Sequence, residues 1–254
     1  MKDERFLEVT EAMGAAVFTE DQLYDLIYRL HPEYTPNSCV WVIGILVKNG
    51  MLSRLGFGLY RACAKPLVWA QEGALFDSIS DFMAKNYPWE PYCFYSTRSL
   101  ESSTGLKEAA RAYFLEVPRE ITFPVYFGLL KALKGHLMVE PKQRELELYF
   151  SDETLIIKRL FSKSPIGKNG SPKLEKLLVD VTADPLLQHF YAAENIGDWA
   201  KANIQKYDIN ILTLLAYAKR RRCEDEVLAV LNDAIPEHMT KIHQRTKKGF
   251  PKEI

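Results

Sequence analysis

Residues 37–61, NSCVWVIGILVKNGMLSRLGFGLYR, leave few local structures open. Asn37 and Ser38 carry side-chain oxygens that can accept the orphan N–H groups of a helix start. The apolar run that follows is long enough for a helix, and Asn49-Gly50 can end it, because glycine adopts the left-handed conformation of a helix C-cap. Next, MLSRLGFGLYRAC alternates and is spaced by Gly56 and Gly58, which predicts two short strands joined by a tight turn.

Two further helices are predicted upstream. The first runs from about Asp3 to Ala16, with Phe6, Val9 and Met13 at helical spacing. Thr19 can cap the second and Gln22 completes a capping box, ahead of an apolar stripe of Leu23, Leu26, Ile27 and Leu30. Pro32 and Pro36 keep HPEYTPNS a connector. Three helices and a hairpin within residues 1–65 follow the plan of a winged helix, whose third helix enters the major groove while the wing touches the backbone.

Charge supports that plan locally. The 254-residue chain has formal net charge zero, so it is no polycation. Yet residues 1–33 hold eight acids (Asp3, Glu4, Glu8, Glu11, Glu20, Asp21, Asp25, Glu33), whereas residues 34–65 hold none and four bases, Lys48, Arg54, Arg61 and Lys65. Phosphate affinity comes mainly from Lys and Arg that release counterions. The expected DNA-contacting residues are therefore Asn37, Ser38 and Trp41 near the start of the third helix, then Lys48, Arg54, Arg61 and Lys65. That helix has few groups able to read base edges, so backbone contacts and DNA shape are expected to matter. Trp41 is equally open to a core or dimer role, and the winged helix to protein contacts alone.

The expected fold class is α+β: the winged helix, a helical connector over 66–90, a mixed α/β domain over 91–240 with a small sheet and a C-terminal helical region, and a basic tail over 241–254. Strands are predicted at YCFYSTRSL, RAYFLEV, HLMVEP, ELELYF and TLIIKRLF, and helices at STGLKEAA, at TFPVYFGLLKAL and through most of the chain after Pro172. On PKLEKLLVDVTADP, Lys176 and Asp180 form an i, i+4 pair. Leu174, Glu175, Lys176 and Asp180 read either as a surface or cap feature, or as an anchor in which Glu175 or Asp180 tethers an arginine of AKRRR. Lys219, Arg220, Arg221 and Arg222 form the densest cationic spot, a possible second nucleic-acid patch. Three successive residues on a helix cannot all face one partner, so one is expected to pair internally.

Catalytic and metal readings are weaker. Glu145 and Glu147 would share a face of a predicted strand, near Glu140 and Lys158, which loosely suits a metal-dependent nuclease. His31, His136, His189, His238 and His243 are scattered, and Gly167, Lys168 and Gly170 lack the spacing of a phosphate-cradling loop. Cys39, Cys63, Cys93 and Cys223 show no ligand spacing and read as free thiols. No cofactor or metal is expected. The charged N-terminus and the lack of an eighteen-residue apolar window point to a cytoplasmic protein without a membrane span.

Several segments in order, LVKNGMLSRLGFGLYR, YSTRSLESS, SKSPIG, KLEKLLVDVTAD and YDINILTLLAYAKRR, resemble the AbiE-type antitoxins of bacterial abortive-infection, type IV toxin–antitoxin modules, or a closely related sister group. The resemblance spans most of the chain and is clearest at LEKLLVD, Leu174 to Asp180. It implies a non-enzymatic autorepressor that binds operator DNA through its winged helix and counters a nucleotidyltransferase-like toxin through its second domain.

Overall fold

A computed structural model describes residues 6–14, 16–62, 67, 69, 73–106, 108, 110–133, 135–191, 196–240 and 242. Lys65 and Cys63 lie outside these residues, as does the basic tail apart from Ile242. The class is α+β, as expected. The chain divides into two compact units, one drawn from Met1–Pro66, Lys201–Ala216 and Asp225–Ile254, the other from Leu67–Ala200 and Tyr217–Glu224. This differs from the consecutive segments expected, because stretches of the C-terminal helical region group with residues 1–66.

In the first unit the order is α1 (Leu7–Met13), β1 (Val17–Thr19), α2 (Glu20–Leu30), α3 (Pro36–Lys48), β2 (Leu52–Gly56) and β3 (Leu59–Ala62). The predicted three helices and hairpin are there, with β1 added as a third strand; the sheet order is β1-β3-β2, all antiparallel. The capping box at Thr19 and Gln22 forms as read. The cap of α3 is corrected: it is Thr35, whose Oγ1 accepts the Ser38 N–H at 3.3 Å, rather than Asn37 or Ser38. Pro36 takes the first helical position, where a missing N–H has no partner to lose. Phe6, Val9, Leu23, Ile27, Val42 and Leu46 form the core of this unit.

The hairpin turns at Phe57 and Gly58, with φ of 55° and 67°. Positive φ at both central residues is what a two-residue primed turn demands. Its tip does not stand free. Leu55, Gly56 and Phe57 are buried, and a Cβ on Gly56 would meet Leu212 Cγ at 3.1 Å. Leu212 belongs to α11 (Ile211–Arg221), which follows α10 (Ile196–Lys206) and precedes α12 (Glu224–Ala234).

The second unit holds a four-stranded sheet of order β4-β5-β7-β6, from β4 (Cys93–Ser96), β5 (Ala112–Val117), β6 (Leu137–Val139) and β7 (Thr154–Arg159). β5, β7 and β6 run parallel, and β4 is antiparallel to β5. Around it lie α4 (Ala74–Asn86), α5 (Thr97–Thr104), α6 (Thr122–Ala132), α7 (Gln143–Tyr149), α8 (Leu174–Ala183) and α9 (Pro185–Phe190). Three expectations fail. The helix expected to start at STGLKEAA instead ends there, since Gly105 in the left-handed conformation caps α5 after Thr104 and Glu108 bridges to Tyr191. ELELYF is helix α7, because Lys142 N–H donates to Glu145 Oε2 at 2.7 Å and closes a helix start. The strand expected over YCFYSTRSL stops at Ser96, whose hydroxyl accepts the Ser99 N–H and starts α5 over residues read partly as strand. No helix among the described residues is long and apolar enough to cross a membrane.

Candidate functional site

α3 turns its core residues Cys39, Val42, Ile43 and Leu46 inward. Asn37, Val40, Trp41, Gly44 and Lys48 are exposed. At about 100° per residue these five fall within a stripe roughly 100° wide. Val40 and Trp41 are 52% and 56% exposed, so Trp41 is not a core residue. The edge of Trp41 meets Phe6, with ring centroids 6.0 Å apart. Tyr34, Asn37, Ser38 and Trp41 line an open hollow of about 360 Å³.

The expected cations separate. Lys48 and Arg54 are exposed, and Arg54 lies on edge strand β2 with its Cζ 5.5 Å above the Tyr60 ring. Arg61 is corrected: it is buried and cannot reach a phosphate. Its Nη1 donates to the carbonyl oxygens of Ile204 at 2.7 Å, Tyr207 at 3.2 Å and Gln205 at 3.3 Å. A cation at a helix C-terminus satisfies carbonyls that have no intrahelical partner. Burial lowers the pKa of Arg61, and nearby Asp208 opposes that. Alternation puts the two on opposite faces, Arg54 beside Tyr60 and Arg61 beside Ser53 and Val17, and Arg61 is buried because residues 204–207 cover its face.

The motif residues of the second unit are interior. Leu174, Glu175, Lys176 and Asp180 are all buried, which removes the surface reading. Lys176 Nζ bridges Asp180 Oδ2 and Glu116, 2.8 Å from Oε2 and 2.9 Å from Oε1. Tyr95 donates its hydroxyl to Glu116 Oε1 at 2.9 Å. Asp180 Oδ1 accepts from Tyr217 at 2.9 Å and pairs with Arg221 Nη1 at 3.0 Å. Lys158 Nζ reaches Asp184 Oδ2 at 2.5 Å and Glu116 Oε1 at 3.4 Å. Asp180 is thus the residue that tethers an arginine of AKRRR, while Lys219, Arg220 and Arg222 are exposed. The Arg221 guanidinium also lies 3.8 Å from the Phe161 ring centroid.

Three carboxylates (Glu116, Asp180, Asp184) thereby meet three cations (Lys158, Lys176, Arg221), a neutral set. Burial raises the Glu116 carboxyl, but Lys176 and Lys158 outweigh it and hold the group at about 2. Burial likewise opposes the charge on Lys176, yet Asp180 and Glu116 push its pKa well above the usual lysine range. The Cys93 thiol is pushed up chiefly by burial. With ammonium, guanidinium and tyrosine hydroxyls on its carboxylates, the cluster is built to lock elements together. The nuclease reading loses its geometry, since Glu145 and Glu147 lie on α7 and Glu140 outside any strand. No group of three or more His, Cys, Asp or Glu among the described residues is placed to hold a metal.

Sequence reading missed Glu116, Asp184, Tyr95 and Tyr217 as members of the cluster. A signal existed in the lone Glu of AYFLEV and in the Lys that follows the apolar run TLII, because a charge in an otherwise apolar strand needs a buried partner.

The chain belongs to a family of unknown function, DUF6577, whose model matches residues 38–237. No curated protein and no solved structure matches it.

Two outcomes follow from these geometries. Arg61→Ala leaves three carbonyls without their donor and lowers stability by about 2–3 kcal/mol in denaturant unfolding; an unchanged midpoint removes the structural role. Because the folded pKa of Glu116 is depressed, its contribution is complete above about pH 4.5 and fades as pH falls toward 2. Glu116→Gln should flatten that part of the acid-unfolding curve while costing about 3 kcal/mol at neutral pH, by stranding Lys176 and Lys158. Equal acid slopes in both proteins count against the assignment.

Proposed function

We propose that this family member is a DNA-binding transcriptional regulator, non-enzymatic and cytoplasmic, that lays α3 against double-stranded DNA. The observation that carries this reading is the exposed stripe Asn37, Val40, Trp41, Gly44 and Lys48, with exposed Arg54 on β2, in a stretch free of acids from residue 34 to 65. The order of three helices and a hairpin in the first unit supports this reading, since in a winged helix the third helix enters the major groove. With Arg61 withdrawn and the hairpin tip packed on Leu212, the backbone contacts fall to Lys48, Arg54 and the polar start of α3. Autorepression of an operator, and antitoxin action against a nucleotidyltransferase-like toxin, rest on the sequence resemblance to AbiE-type antitoxins. Arg220 and Arg222 offer a second cationic surface for nucleic acid.

A rival reading makes the first unit a protein-interaction module that dimerises through Trp41, and the exposure of Val40 and Trp41 favours it. Binding of the full chain to a duplex from its own upstream region, followed by fluorescence anisotropy over a salt series, separates the two. Lys48→Ala and Arg54→Ala should each weaken binding by about 1 kcal/mol, roughly fivefold, and each lower the salt slope by about one. Absence of binding at low salt, with Trp41→Ala turning a dimer into a monomer in sedimentation, would decide for the interaction module.

A further inference from the structure

α3 is poor in the groups that read base edges through paired hydrogen bonds. Its exposed stripe has no Arg or Gln, and its groups able to read a base edge through paired hydrogen bonds are Asn37 at the start and Lys48 at the end. At its centre stand Val40 and Trp41, about half exposed, and Gly44 between them and Lys48. A Cβ built on Gly44 meets nothing within 4 Å. Glycine inside a helix is destabilising relative to alanine, and no described residue packs against Gly44 closely enough to require it. The stripe therefore has two apolar contacts flanking a notch that lets another surface approach the helix backbone.

The charges at the Lys48 end of the stripe favour one kind of surface, while at the other end Glu8 and Glu33 are paired with His31 beside Tyr34. Residues 34–65 carry no carboxylate, and Lys48 and Arg54 are exposed at the far end of the helix and on β2. This suits a polyanion. A second copy of the chain is poorly served: stable interfaces bury about 800 Å² on each partner, and two half-exposed apolar side chains fall far short. In the major groove the apolar feature of a base pair is the thymine C5-methyl, and apolar side chains are what recognise it.

Building on the DNA-binding reading, we propose that α3 selects its site by packing Val40 and Trp41 against thymine methyl groups, with Gly44 admitting the close approach. Specificity then resides in methyl contacts rather than in bidentate hydrogen bonds, and the preferred site is thymine-rich where the centre of α3 lies.

The test uses the full chain and two duplexes from its upstream region, one natural and one with every thymine replaced by uracil, which removes only the C5-methyl. Each buried methyl contributes on the order of fourfold in affinity, so the natural duplex should bind at least about fourfold tighter. Trp41→Ala and Val40→Ser should weaken binding to the natural duplex and shrink its advantage. Both side chains are half exposed, so neither change empties a core. Gly44→Leu fills the notch and should abolish binding while leaving thermal unfolding unchanged or raised, a result no structural role of Gly44 predicts. Equal binding to thymine and uracil duplexes overturns the methyl inference and leaves DNA binding standing. Failure to bind either duplex at low salt overturns the DNA reading itself. Loss of a dimer in Trp41→Ala or Gly44→Leu, with DNA affinity unchanged, assigns the face to a second copy and also overturns the inference.

Discussion

Lys176 has no exposure to water, and the second unit is arranged around that fact. A buried ammonium is costly unless its charge is matched and its protons are placed. Glu116 on β5 and Asp180 one turn along α8 supply both needs. Each carboxylate then requires further donors of its own. Asp180 takes Tyr217 and Arg221, Glu116 takes Tyr95 and Lys158, and Lys158 in turn reaches Asp184. One buried charge thus fixes α8 against β5, β7 against the start of α9, and the end of α11 against both. Such a network adds little net stability over a well-packed apolar core, but it tolerates no missing member. Its value is positional: only one register of these elements leaves every charge paired.

The same constraint operates in the first unit through Arg61, whose guanidinium serves the last carbonyls of α10 and Tyr207. Four cations that a count of charges assigns to the surface, Arg61, Lys158, Lys176 and Arg221, are committed inside the protein. On the described part of residues 34–65, the cations left for an external anion are Lys48 and Arg54. This alters the expected physics of DNA binding, because counterion release scales with the number of phosphates neutralised.

The sequence made the elements legible wherever a local rule decided them. Thr19 and Gln22 announce α2, Asn49-Gly50 ends α3, and the glycines around Phe57 announce the hairpin. It misled where two rules competed. ELELYF alternates like a strand, but Glu145 can close on the Lys142 N–H, and the short helix wins. For the candidate site the exposed half was legible: Asn37, Trp41, Lys48 and Arg54 all reach the surface. Arg61 was not, since its carbonyl partners lie more than 140 residues away in the chain. LEKLLVD was visible as a motif, and the Asp180 tether to AKRRR as one reading of it. That Lys176 sits at the centre of six charges depended on Glu116, 60 residues earlier, which no periodicity connects to it.

Burying cations narrows the ways in which the first unit can recognise anything. With Arg61 buried and Lys48 and Arg54 exposed among the described residues, electrostatic attraction can bring a polyanion close but cannot rank one sequence above another. On the DNA-binding reading proposed above, ranking falls to the face of α3, where the polar readers are few and the apolar groups stand out. A helix that hides Val42, Ile43 and Leu46 while leaving Val40 and Trp41 about half exposed has an apolar surface that its own unit covers only in part, through the contact of Trp41 with Phe6. Gly44 deepens the point. Its lost helix propensity, about 1 kcal/mol relative to alanine, is not recovered by a contact with any described residue, and on the reading proposed above the close approach of DNA to the helix backbone offsets it.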